Sequence, residues 1–447
     1  MVSENHDDPP LGTRLKATAA PSRKLTYSIL FIVLVAFLLR VAVITIGHTY
    51  KITPRRDHFQ FGWEMGRLAR SIALGQGFSN PTDLTTGASA WAPPLYPYIL
   101  GGVFKIFGIY TPASAWVILL FNSIFAALTC LTLYRIAQRI FDERVARATA
   151  WTWALFPYVL YWPTRVVWET SLTTFLLSLS LLMTLQLQEQ DASGDGRFDT
   201  RRWCTFGILW GIILLTNTAV VSLLPFFLLW LLWQSKHRAR VLAGGALCMA
   251  LAATVVSPCL VRNYRVFGTF VFVRDNLPLE LHMANNEHSE GLWTRNEHPG
   301  NDAEAMRQFQ ETGELRFMEQ QKVEFNRFVR EHPGDFVWFS LQRAAYFWIA
   351  PPSFTNFKGY DLEISRHMNF FLGATFAFGG LWLALWNRIR GGFLLACCLL
   401  VYPLPYYMVN PFPRYKHPIE PVMALLVVYL MIEARKVQIH WPFKNTN

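Results

Sequence analysis

Several signatures are missing from this sequence. It has no P-loop, no GxGxxG and no HExxH, so no phosphate cradle, dinucleotide fold or zinc-protease helix is written into it. The six cysteines, Cys130, Cys204, Cys248, Cys259, Cys397 and Cys398, show no paired CxxC spacing. All fall in or beside apolar runs, which excludes a cysteine-held metal and reads them as small buried hydrophobes. Charge is scarce, at 16% of 447 residues. The apolar runs are continuous rather than alternating, which excludes a membrane β-barrel. No strong internal repeat is present.

What is present is apolar length. Residues of hydrophobic type make up 52% of the chain, and mean hydropathy is +0.23. Several runs approach the ~20 residues that cross a hydrocarbon core. The expected fold class is therefore an all-α polytopic membrane protein with about ten transmembrane helices and two large extracytoplasmic loops. The 17 Trp and 35 Phe suit interfacial belts and helix packing. Lys and Arg outnumber Asp and Glu, 41 to 30. In a chain this apolar, the excess faces anionic membrane lipid rather than nucleic acid. Residues 1–24 read as a cytoplasmic tail ahead of a retained anchor, 25–435 as the transmembrane domain, and 436–447 as a second cytoplasmic tail. Within the domain, 47–114 and 262–366 are the two outer loops. Arg40, inside the first span, is expected to snorkel outward. The run Phe336–Ala350 is short and holds Gln342 and Arg343, so it is expected to lie in the interface plane. That puts Asn387–Arg390 on the cytoplasmic side.

The stretch Asp57–Pro97 organises the candidate site. It is polar, broken by Gly and Pro, and flanked by apolar runs. It carries Asp57, His58 and Glu64. A second acid, Glu169, follows the third span, and both glutamates come directly after a tryptophan, Trp63 and Trp168. A carboxylate there can act as general base on a hydroxyl, bind a cation or orient a substrate. It can also simply cap a helix N-terminus, which favours negative charge. Arg414, with Tyr415, lies in the stiff turn NPFPRYKHPIEP (Asn410–Pro421), where an Arg fork can grip a phosphate or an ordinary lipid headgroup. Arg262, in CLVRNYRVFG (Cys259–Gly268), invites the same reading. Asn285 and Asn286 either line the substrate side or form a turn. With no nucleotide-binding domain in sight, a lipid-carried donor fits better than a sugar nucleotide.

In order along the chain come an acid in a long first outer loop, PPLYPYILGGVFKIFG, an acid after the third span, VRNYRVFG and PRYKHPIEP. This order resembles the bacterial membrane glycosyltransferases of the C-type (GT-C) fold. They are related to the protein O-mannosyltransferases of glycosyltransferase family 39 and to the aminoarabinose transferases that modify lipid A. The resemblance runs from about Leu25 to Ile432. It implies sugar transfer from a polyprenyl-phosphate donor to a lipid, glycan or protein acceptor, in one inverting step, at the periplasmic or extracellular face of a bacterial inner (plasma) membrane. It implies a base at Glu64 or Asp57, a second acid at Glu169, and donor phosphate contacts at Arg414, Tyr415 and Arg262. Related enzymes differ in their need for metal, so Mg2+ or Mn2+ stays open. The competing readings are a polytopic transporter or lipid flippase, with ionisable residues near the midplane, and a noncatalytic scaffold of the cell envelope.

Overall fold

The computed structural model describes residues 28–52, 61–192, 198–292, 294, 297–352 and 360–435, the side chains of 360–363 excepted. Among them the structure is helical, apart from one isolated bridge between Ser79 and Ala88. In chain order the helices are α1 (Ile29–Ile46), α2 (Glu64–Ala73), α3 (Leu95–Phe107), α4 (Pro112–Ile140), α5 (Glu143–Leu155), α6 (Pro157–Arg165), α7 (Thr170–Ala192), α8 (Thr200–Thr216), α9 (Leu224–Gln234), α10 (Arg238–Phe267), α11 (Leu277–Ala284), α12 (Ala303–Thr312), α13 (Glu314–Glu331), α14 (Pro333–Ile349), α15 (Tyr360–Trp386), α16 (Gly392–Leu400), α17 (Leu404–Met408) and α18 (Glu420–Ala434).

Among the described residues, six stretches are long and apolar enough to cross a membrane: Ile29–Ile46, Pro112–Ile140, Thr170–Ala192, Arg238–Phe267, Ile364–Trp386 and Pro413–Ala434. The chain is an integral membrane protein. Shorter apolar stretches cover Leu95–Phe107, Thr218–Gln234 and Gly392–Met408. The expectation of about ten spans depends on counting such shorter stretches as crossings.

The helices start and stop where local chemistry dictates. Thr111 accepts from Ser114 N and Pro112 opens α4; Asp142 accepts from the N–H groups of Arg144 and Val145 at α5. Each answers donors that a helix N-terminus leaves unpaired. Helices α8 and α10 approach closely because Gly207 and Gly211 leave no side chain against Cys248 and Val255, the small-residue contact that lets membrane helices associate.

Arg40 does not snorkel. It is fully buried and donates to the carbonyls of Ala36 (2.8 Å), Trp153 (3.2 Å) and Ala154 (3.3 Å). The cause is Pro157: it has no N–H, so the Trp153 carbonyl loses its helical partner. Within the bilayer such a group must find another donor, and Arg40 supplies it.

The bundle has two distinct ends. At one, Arg139 pairs with Glu189 at 3.2 Å, Gly391 sits against Ile140, and Asn387 donates to the Tyr429 hydroxyl. The Asn387–Arg390 turn thus shares an end with the turn after α4. At the other end lie the starts of α2 and α7 and the two long polar sections. Helix α14 spans Pro333–Ile349. Its Arg343 is buried and donates to Tyr407 O, Ala284 O and Asn285 Oδ1, tying α14 to α11 and α17.

Candidate active site

The backbone brings two distant acids to one place. Phe61, Gly62 and Trp63 all have positive φ, at 64°, 85° and 47°. Glycine adopts this freely, but phenylalanine and tryptophan do so under strain, which gathers at functional sites. A Cβ on Gly62 would lie 2.6 Å from the Val167 carbonyl oxygen, so only glycine lets this turn press on the Val167–Glu169 segment. Helix α2 begins one residue later, at Glu64. From the other side Asn122 donates to Val166 O at 3.1 Å and accepts from the Tyr96 hydroxyl. Tyr96 belongs to the PPLYPY motif, which therefore braces the segment that carries Glu169.

Around these acids the charges are mixed. Burial pushes the Glu64 carboxyl up, but its hydrogen bond and electrostatic interaction with His298, its own backbone N–H and Arg67 hold it below the usual carboxylate value. Burial instead dominates at Glu169, whose pKa is raised against the pull of Arg414 and Arg274. Asn217, at the break after α8, donates to Glu169 Oε1 at 3.4 Å. A third acid, Glu280 of α11, is also pushed up by burial, within electrostatic reach of Arg274, Glu64, Arg414 and His298. Arg414 lies among three aromatic faces: Trp168 at 4.3 Å, Phe412 at 4.4 Å and Tyr415 at 4.8 Å. It donates to the Tyr415 hydroxyl at 3.2 Å. The Tyr415 ring stacks on Tyr406, 4.4 Å between centroids. Aromatic walls orient a guanidinium without neutralising it, so the cluster presents a fixed cation beside an ionised carboxylate.

Of the residues singled out in the sequence, Glu64, Glu169, Arg414 and Tyr415 come together here. Asp57 and His58 lie outside the described residues. Arg262 goes elsewhere: its guanidinium donates to Ser89 O (2.6 Å), Phe78 O (2.7 Å) and Asn263 Oδ1 (3.0 Å), holding the first long polar section. Asn285 and Asn286 are buried and serve as framework. Asn285 donates to Leu281 O and Met408 O, and Asn286 to His282 O and the Thr294 hydroxyl. The sequence reading missed Glu280, Arg274 and His298, which lie in a polar section with no periodicity to mark them.

For a divalent cation the fit is incomplete. Glu169 Oε2 is buried with no hydrogen-bond partner, the kind of oxygen that Mg2+ or Mn2+ takes. Among the described residues, though, the group of three with ligand atoms within 4.8 Å of one another is Glu287, Glu331 and His332, all exposed. Glu64, Glu169 and Glu280 do not form such a group, and no step below is routed through a metal.

The fold is that of the C-type membrane glycosyltransferases. A family model described as dolichyl-phosphate-mannose-protein mannosyltransferase matches residues 92–261. No curated protein matches the chain by sequence. Among solved structures, the archaeal oligosaccharyltransferase AglB of Archaeoglobus fulgidus, in complex with an inhibitory peptide and a dolichol-phosphate, is similar at 15% identity and TM-score 0.54, over 94% of this chain and 52% of its own. The apo form of the oligosaccharyltransferase from the same organism aligns at 14% identity and TM-score 0.57, over 91% of this chain and 51% of its own. The chain thus spans about half the length of these structures. ArnT of Cupriavidus metallidurans, bound to undecaprenyl phosphate, aligns at 14% identity and TM-score 0.48, over 90% of this chain and 59% of its own.

Proposed function

We propose that the chain is an inverting glycosyltransferase. It moves a sugar from a polyprenyl-phosphate donor to a lipid, glycan or protein acceptor at the outer face of the membrane. We place it in a bacterial inner membrane, with the Glu64–Arg414 cluster on the periplasmic side. The observation that carries this reading is one cluster at the end of the bundle, where a carboxylate kept ionised, Glu64, stands near an aromatic-walled arginine, Arg414. The match to a mannosyltransferase family over residues 92–261 supports it, as does the likeness to AglB, itself described with a dolichol-phosphate.

The chemistry follows from these residues. The lipid tail lies between helices, and the donor phosphate meets Arg414 and the Tyr415 hydroxyl. Glu64 takes the proton from the acceptor hydroxyl. That oxygen then bonds to the anomeric carbon, and the bond from this carbon to the phosphate oxygen breaks. The electron pair leaves with the polyprenyl phosphate, and Arg414 offsets the charge that develops there. Glu169, held by Asn217, orients the acceptor.

A transporter needs ionisable residues facing a path near the midplane. Here the ionisable side chain inside α1, Arg40, is consumed by carbonyls, and the acids lie at helix ends.

The test is a transfer assay with a lipid-linked sugar. Glu64→Gln keeps shape but cannot accept the proton. It is expected to lower turnover by at least ~10²-fold, the usual contribution of a general base, while inserting and purifying as the wild type does. Glu169→Gln is expected to impair transfer through a raised acceptor requirement. Wild-type turnover in both variants would overturn the mechanism.

A further inference from the structure

We infer that His298 is the positioning residue for Glu64, fixing one carboxylate oxygen by a hydrogen bond so that the other faces the acceptor. The inference rests on reading Glu64 as the base.

His298 lies 234 positions after Glu64, in the turn that leads into α12. Its carbonyl accepts from the N–H groups of Asn301 (2.8 Å) and Asp302 (3.0 Å), which fixes its backbone. The residue is 4% exposed, and its ring meets two tryptophans edge-on, Trp91 at 5.6 Å and Trp63 at 6.2 Å. Nδ1 accepts the Gly300 N–H at 2.9 Å. A ring nitrogen that accepts a backbone N–H carries no proton, so the ring proton sits on Nε2. Nε2 faces Glu64 Oε1 at 3.3 Å. Chain geometry alone therefore sets the tautomer, and the tautomer makes His298 a donor toward the acid. Turning the ring over would forfeit the Gly300 bond.

The consequence is directional. Glu64 Oε1 faces His298, and in this reading Oε2 receives the acceptor's proton. The Glu64 side chain keeps 16% exposure, which leaves a way in. His298 holds the carboxylate in its reacting orientation, and a base displaced by about 1 Å loses on the order of 10² in rate. Gly300 belongs to the same device. A Cβ there would lie 3.0 Å from Nδ1 and 3.1 Å from Cε1 of His298, so a larger residue pushes the ring off Glu64.

Substitutions and spectra together test this. His298→Phe keeps an aromatic ring between the tryptophans but donates nothing. His298→Gln loses the ring but retains an amide donor. Turnover is expected to fall roughly ten- to a hundred-fold in His298→Phe, with the donor KM little changed, and to recover in part in His298→Gln. Gly300→Ala is expected to show a milder loss of the same kind. If Phe restores turnover better than Gln, His298 only fills space and the inference fails. Nitrogen-15 spectra of histidine-labelled protein give a readout that needs no sugar transfer. The His298 signal, identified by its loss in His298→Gln, is expected to show the proton on Nε2 and to shift in Glu64→Gln. A proton on Nδ1, or a signal blind to Glu64→Gln, overturns the inference. A wild-type protein that transfers no sugar, yet shows the shift, instead overturns the glycosyltransferase reading and leaves the Glu64–His298 bond standing.

Discussion

Arg414 cannot be exchanged for lysine without loss, because its plane as well as its charge is used. Trp168, Phe412 and Tyr415 stack around the guanidinium, and its fork suits a phosphate. Arg414→Lys keeps the charge and loses both features; Arg414→Ala loses everything. A hydrogen bond to a charged group is worth about 1.5–3 kcal/mol. Donor KM is therefore expected to rise about tenfold or more in the lysine variant and further in the alanine variant, read by steady-state transfer over a range of donor concentrations. Wild-type behaviour of both would remove Arg414 from the donor site. Its position was legible in the sequence because PRYKHP sits between two apolar runs, where few charged residues have reason to be. Glu64 and Glu169 stood out for the same reason. Arg262 stood out equally, and in the structure its guanidinium turns to backbone carbonyls. An arginine at a helix end looks alike in sequence whether it meets a phosphate or, as here, the carbonyls of Ser89 and Phe78. His298 left no signal, since a histidine in a long polar section reveals its partner only once the chain has folded back.

The two long polar sections are joined by an element-scale clamp that is expected to respond to pH. The Phe78–Trp91 segment folds on itself: Ser89 N–H donates to Phe78 O, and Asn80 Oδ1 accepts from Thr86 and Gly87. The second section then grips it. Asp275 N–H donates to Ala90 O, and Ala90 N–H donates to Glu314 Oε1 at 2.5 Å. Burial, then the neighbouring Asp275 carboxyl, pushes Glu314 well above the usual carboxylate value. Burial pushes Asp275 to about 6, against its hydrogen bond with Glu314 and the charges of Arg274 and Arg262. Two carboxyls so placed share a proton. A carboxyl raised on folding stabilises fully below its unfolded value, near 3.8 for Asp275, and that stability is lost as pH climbs through about 6. The clamp is therefore expected to be tightest in mild acid. Glu314→Gln should keep the bond from Ala90 and offer Asp275 a permanent donor. It is expected to slow hydrogen exchange of residues 78–92 above pH 6, with a gain on the order of 1–3 kcal/mol, and little change at pH 4. An equal effect at both pH values would mean that the pair shares no proton. None of this was legible beforehand. Gly313, at φ +76°, separates α12 from α13 and makes Glu314 the first residue of α13, a break that no apolar run announces.

At the scale of the whole molecule, helices and charge together predict which end faces which side. The apolar runs made the membrane helices legible, because a backbone in lipid has few other options. Breaks within them were less so, since they depend on single residues such as Pro157 and Asn217. The structure separates the two ends by the length of α7, with Glu169 before its first turn and Glu189 in its last. At the far end gather Arg135, Arg139, Arg144, Arg201, Arg202, Arg240 and Arg388, in or beside helix ends joined by turns shorter than the two long polar sections. Short loops rich in Lys and Arg stay in the cytoplasm, so this end is expected there and the acid cluster on the opposite side. Cysteines introduced singly, in a background lacking the six native ones, test the arrangement with a thiol reagent that cannot cross the membrane. Thr85→Cys and Glu290→Cys, both at exposed positions of the outer sections, are expected to react in intact cells. Arg144→Cys and Arg388→Cys are expected to react only after permeabilisation. The Arg388 position decides most. It lies beside the turn after α4 in the folded chain, so it must follow Arg144 whichever way the protein inserts. If both react from outside while Thr85→Cys and Glu290→Cys do not, the molecule is inverted and its acids face the cytoplasm. If Arg388→Cys reacts from the side opposite Arg144→Cys, then α14 crosses the membrane, and the packing of Gly391 on Ile140 does not hold in the cell.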